Sequence, residues 1–170
     1  VTTPLERLNT ATTEEATEAF TRCCGSTKWV QRMLAVRPFR DAEHLYAEAV
    51  DAWARTGPED WKEAFTHHPR IGDVSKLREK FASTAQWSSQ EQKGVAGADE
   101  GVLQALSQGN RDYESRYGFI FLVCATGKSA AQMLDLLQDR MHHTPDEELK
   151  IAAGEQAKIT RIRLEKLLAS

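Results

Sequence analysis

The sequence predicts an all-α protein, a compact single-domain bundle of about seven or eight helices. Three observations carry that prediction. Apolar residues recur at three- and four-residue spacing, helix-start and helix-stop residues bracket those runs, and alternation of period two is almost absent. With 170 residues there is chain enough for one core, and no internal repeat or Pro/Gly/Ser-rich linker divides it, so 1–170 is expected to form one domain.

Each element has its own signal. Phe20, Cys23 and Cys24, then Trp29, Val30, Met33 and Leu34, suggest two helices separated by Gly25-Ser26. Ala42, Leu45, Tyr46, Ala49, Val50 and Trp53 share the spacing of one buried helix face. Pro38 and Gly57-Pro58 punctuate the neighbouring boundaries. A helix is expected through Val102, Leu106, Asn110 and Tyr113, and another after Gly127. Phe119 to Val123 is β-prone by composition and bracketed by Gly118 and Gly127. One strand makes no sheet, so it reads as buried helix or extended backbone. Thr144-Pro145-Asp146-Glu147 supplies an N-cap, a proline at the first helical position and a capping-box glutamate for a last helix running to Leu168.

Composition excludes several function classes. Lys plus Arg is 22 against 25 for Asp plus Glu, a net charge of -3 that lacks the footprint of a nucleic-acid binder. The longest apolar stretch, Phe119 to Ala125, is too short to span a membrane, and the polar N-terminal segment has no signal-peptide character. Cys23, Cys24 and Cys124 are odd in number and lack the Cys/His spacing of a zinc site. Buried thiols in a reducing compartment, and a cytoplasmic address, are the expectation. Lys128 after Gly127 lacks the remainder of a phosphate loop. Trp29, Trp53, Trp61 and Trp87 read as core or interface.

Three places could carry chemistry. In Thr66-His67-His68-Pro69-Arg70-Ile71-Gly72-Asp73, two histidines end a helix before a proline that stops it. An imidazole held there can act as acid or base, or simply cap the helix. Ser88-Ser89-Gln90-Glu91-Gln92 has the spacing of a capping box, and a helix N-terminus also favours an anion. Arg163 falls within the helical arc of Leu149, Ala152, Ile159 and Leu167, whereas Arg161 points off it. A guanidinium in an apolar stripe must find a carboxylate, snorkel or bind an anion. His142-His143 has no third ligand at a metal-binding spacing and receives no role.

Taken in order, Cys23-Cys24-Gly25-Ser26, Trp29-Val30, Met33, Arg37-Pro38-Phe39, His68-Pro69-x-Ile71-Gly72 and Ser88-x-x-Glu91-Gln92 resemble one enzyme family. Tyr113, Tyr117-Gly118-Phe119 and Lys158-Ile159 through Ile162-Arg163-Leu164 complete the series. The family is 2-oxo-4-hydroxy-4-carboxy-5-ureidoimidazoline (OHCU) decarboxylase, and the likeness runs from about Leu8 to Leu168. It implies an all-α, commonly homodimeric enzyme that converts OHCU to (S)-allantoin after urate oxidase and 5-hydroxyisourate hydrolase, with no metal or organic cofactor. It also implies a site: His68, Glu91 and Arg163 as catalytic residues, with Pro69, Ser88, Gln92 and the segment Phe119, Ile120, Phe121, Leu122 and Val123 against the substrate. Arg70-Ile71 and Phe119-Ile120-Phe121 depart from the acidic-leucine and Phe-Pro-Phe patterns common in the family.

These residue types suit the reaction. Loss of CO2 leaves a carbanion that delocalises into the substrate's own ring carbonyl, so no cofactor sink is required. Arg163 would hold the anionic substrate, Glu91 would orient the ureido or hydroxyl groups, backbone N–H groups near Phe119 to Val123 would stabilise negative charge, and His68 would be the acid–base. A rival reading is a non-catalytic helical interaction module, in which the histidines and Glu91 cap and Arg163 pairs internally. A third, a ring hydrolase, lacks a convincing metal cluster.

Overall fold

A computed structural model describes residues 1–69, 74–84 and 89–170, the side chains of 80–84 and 89–99 excepted. Among the described residues there are nine α-helices and no strand. They are α1 (Pro4–Thr10), α2 (Thr13–Cys23), α3 (Thr27–Val36), α4 (Ala42–Ala54), α5 (Pro58–Phe65), α6 (Val74–Thr84), α7 (Ser89–Tyr117), α8 (Ala130–Arg140) and α9 (Pro145–Ala169). The all-α expectation is met. The helices expected after Ser88 and through Val102–Tyr113 are one element, α7. The short α1 gives no sequence periodicity, with Leu8 its one buried residue. Trp87 lies outside the described residues. No described helix is long and apolar enough to cross a membrane.

The chain forms two compact units, 1–68 with 153–170 and 69–152. In the first, polar side chains cap the starts of α1 to α4. Thr12 and Glu15 satisfy each other's backbone N–H groups at the head of α2, Ser26 accepts from Trp29 N at 3.3 Å, and Asp41 accepts from His44 N at 2.7 Å. Such caps contribute about 0.5–2 kcal/mol each. Phe20, Trp29, Met33, Leu45, Ala64 and Leu164 join one core. Phe20 meets Trp29 edge-on at 6.0 Å, and the Trp29 indole donates to Ala49 O at 3.1 Å.

On α4 the buried face is Leu45, Ala49 and Ala52, and Val50 is 70% exposed. At about 100° per residue, Val50 lies on the far side of Tyr46 from Leu45, so its expected burial is corrected. Gly25 is buried, and a Cβ built there would stand 2.3 Å from His67 Cγ and 2.8 Å from His67 Cβ. The atoms met are the root of that side chain, so relief requires a shift of the α5 terminus. Gly25→Ala is expected to cost about 1–3 kcal/mol of stability. An unchanged urea midpoint would show that the turn accommodates a methyl.

The second unit holds α6, α7, α8, residues 145–152 of α9 and the connection between α7 and α8. Its core includes Leu77, Leu103, Leu106, Tyr113, Met133 and Leu137. Phe119 to Val123 is neither helix nor strand. Gly118 (φ 82°) and Gly127 (φ 76°) adopt at its two ends the left-handed backbone that glycine permits. Phe119 and Phe121 pack edge-on against Tyr113, with centroids at 5.9 and 5.3 Å.

Under this connection lies a buried polar cluster. Glu148 is 0% exposed and accepts from Tyr113 Oη at 2.5 Å and from Arg140 Nε. His143 Nδ1 lies 3.0 Å from its second oxygen. Arg140, 5% exposed, also donates through Nη1 to Leu122 O at 2.5 Å and covers the Phe121 ring at 4.8 Å. Burial, then the Glu148 hydrogen bond, pushes the Tyr113 phenol well above its ordinary range. Sequence reasoning gave His143 no role; it belongs to this cluster.

Candidate active site

Helix α5 stops at Phe65 and winds down through a turn, with His67 N and His68 N donating to Ala64 O and Phe65 O at 3.2 Å. Pro69 follows and cannot supply the next N–H. His68 thus leaves a helix end half-buried. Helix α9 presents Gln156, Thr160 and Arg163 at successive turn spacing, which places them on one face. His68 Nε2 lies 2.6 Å from Gln156 Oε1, and Gln156 Nε2 donates to Thr160 Oγ1 at 2.9 Å.

Arg163 approaches the other side of the ring, with Nη2 3.4 Å from His68 Nδ1 and Nη1 donating to Arg22 O at 3.2 Å. Among the described residues no carboxylate forms a salt bridge with Arg163. The internal ion pair of the interaction-module reading is therefore missing there, and His68 and Arg163 converge instead. An imidazole and a half-buried guanidinium side by side can move a proton next to a bound anion.

Cys23 and Cys24 end α2 beside this group, and all three cysteines are buried thiols. Burial pushes both Cys23 and Cys24 up to about 11, against a partial offset from Arg163. The native state thus favours the neutral thiol more than the unfolded chain does. That stability is complete below the ordinary value of 9.0 and is lost as pH rises through about 11. Urea midpoints of the protein should therefore fall more steeply above pH 9 than those of Cys23→Ala/Cys24→Ala. Parallel declines would contradict this.

The remaining expected residues divide by unit. Pro69 is exposed, Phe119, Phe121 and Leu122 are buried, and Ile120 and Val123 are half-buried, all in the second unit. Glu91 and Gln92 sit in the first turn of α7, but their side chains, like Ser88 and Arg70 to Asp73, lie outside the described residues. Helix α7 begins at Ser89, where the Ser88-x-x-Glu91 spacing places it. Sequence reasoning missed Gln156. Its signal was present: Gln156 stands seven residues before Arg163 and seven after Leu149, inside the same apolar arc.

The OHCU decarboxylase family model matches residues 9–165. The uric acid degradation bifunctional protein TTL of Arabidopsis thaliana is 37% identical over 150 residues, which are 86% of this chain and 45% of that protein. The chain thus spans less than half of that relative's length. The 2-oxo-4-hydroxy-4-carboxy-5-ureidoimidazoline decarboxylase of Mus musculus is 30% identical over 137 residues, 79% of this chain and 75% of that one. A crystal structure of OHCU decarboxylase in the presence of (S)-allantoin superposes with a TM-score of 0.72 at 34% identity, covering 89% of this chain and 97% of that chain. A match of this extent, in a chain whose helical fold superposes on a solved OHCU decarboxylase, means that the protein belongs to the OHCU decarboxylase family.

Proposed function

We propose that this chain, as one domain over 1–170, decarboxylates OHCU to (S)-allantoin in urate degradation and protonates one face of the product. The observation that carries the reading is the His68–Arg163 pair: an acid–base group 3.4 Å from a guanidinium with no carboxylate salt bridge among the described residues. The substrate is an anion, and a half-buried cation in contact with the acid–base group is placed to hold it. The carboxylate leaves as CO2, its bonding electrons pass into the ring carbonyl, and the resulting enolate takes a proton. The substrate supplies its own electron sink, so neither metal nor organic cofactor enters the reaction.

In this reading His68 is the acid–base and Arg163 fixes the substrate. The family resemblance assigns its orientation to Glu91, Ser88 and Gln92. It also assigns substrate contact to Pro69 and charge-opposing backbone N–H groups to Phe119 to Val123. The pinning of Leu122 O by Arg140 supports a rigid backbone in that segment. The reading extends to a cytoplasmic homodimer. Three buried thiols fit a reducing compartment, and light scattering on the purified chain tests the dimer.

Circular dichroism of OHCU generated in the cuvette tests the activity. OHCU decays unaided, so handedness of the product is the readout. Rapid growth of an optically active allantoin signal is expected. A racemic product at the uncatalysed rate from folded protein would exclude the decarboxylase reading.

A further inference from the structure

A buried amide is costly unless both ends are paired, and Gln156 is fully buried in the core of the first unit. Its pairing is directional. The amide nitrogen donates to Thr160 Oγ1, and the oxygen, an acceptor only, faces His68 Nε2 at 2.6 Å. From the opposite side, Arg163 brings a group that has donors and no acceptor to within 3.4 Å of His68 Nδ1. The two neighbours make the same demand: a hydrogen on Nε2 and a lone pair on Nδ1.

We propose that Gln156 is a positioning residue that holds neutral His68 as the Nε2–H tautomer, so that the catalytic proton passes through Nδ1 on the Arg163 side. The role rests on the proposed function of His68. The proton balance is complete. The imidazolium gives its Nδ1 proton to the enolate formed as CO2 departs, and returns to the neutral ring with Nε2–H still bonded to Gln156. Solvent then restores the proton at Nδ1. The amide thus keeps ring plane and tautomer constant through the cycle. Among the described residues, the charged and titratable groups linked to the ring are Arg163 and, through Arg163, Cys23 and Cys24, with His67 next in the chain.

The full chain labelled with 15N-histidine tests the assignment directly, with the His68 signals identified by their loss in His68→Asn. Above the ring's titration, a protonated Nε2 and a lone-pair Nδ1 are expected; the opposite tautomer or an equal mixture overturns the proposal. Gln156→Leu should lower kcat by about 10–100-fold with little change in KM. Gln156→Glu retains an acceptor against Nε2–H and should restore most of that rate. Its carboxylate also favours the imidazolium, the proton-donating form, so the alkaline limb of the kcat profile should move to higher pH. Wild-type kcat in Gln156→Leu overturns the positioning role. Full turnover by His68→Asn instead overturns the catalytic reading beneath it, whatever the tautomer, so the two failures are distinguishable.

Discussion

His68→Asn is expected to lower kcat for OHCU by about 10²–10⁴-fold, the range for removing a positioned acid–base. Asparagine keeps a polar side chain at the end of α5 and so limits the damage to Gln156, whose buried oxygen faces His68 Nε2 at 2.6 Å. It cannot gain and lose a proton at neutral pH. Arg163 remains in place, so substrate affinity should change far less than turnover. The contrast with His67 sharpens the test. That neighbour is exposed and packs its ring root over Gly25, and His67→Asn should keep most of the activity. Equal losses in the two variants would point to damage at the helix end in place of lost chemistry.

Arg140→Met is expected to cost about 3–5 kcal/mol of stability, the penalty for stripping one partner from a buried ion pair. Glu148 is 0% exposed and would keep Tyr113 and His143 as partners while losing its guanidinium. The carbonyl of Leu122 would lose its donor as well. Arg140→Met/Glu148→Leu should recover much of the loss, because two apolar side chains need no compensation. Urea unfolding of the three proteins decides it. A single variant within 1 kcal/mol of the parent, on the scale of exposed pairs, would mean that water replaces the guanidinium.

The elements that were legible in the sequence are those whose signals are local. The Thr144–Glu147 capping box is formed in both directions, at 3.0 and 3.2 Å. Gly25-Ser26 separates α2 from α3, and Gly57-Pro58 opens α5, because N-caps and prolines act over three or four residues. Arg163 was isolated by its place on a helical wheel, a test that reads only its own helix. His68 was singled out as a histidine before proline, and its catalytic assignment came from the family resemblance.

What escaped was set by partners distant in sequence. Gln156 lies on the same arc as Arg163, but an amide among apolar residues declares its purpose only when its partner is known, and His68 is 88 positions away. Arg140 and Glu148 flank a turn, and no local pattern sets them apart from other charged residues. Only folding shows that Tyr113, Leu122 and His143 close around them. Val50 shows the opposite failure: an apolar residue at the edge of an arc was counted as buried when the helix turns it outward.

The first unit joins 1–68 to 153–170, and this has a consequence for biosynthesis. A ribosome delivers α1 to α5 early, yet the nascent chain has no Gln156 or Arg163 to meet His68 until the partners 88 and 95 positions downstream have been translated. Leu164 must also arrive before the core around Phe20 and Trp29 can close. A polypeptide released before residue 153 would expose that apolar surface and lack half of the His68 cluster, so it would be inactive and a substrate for chaperones and proteases. Competence for chemistry and escape from quality control thereby depend on the same segment, 153–170.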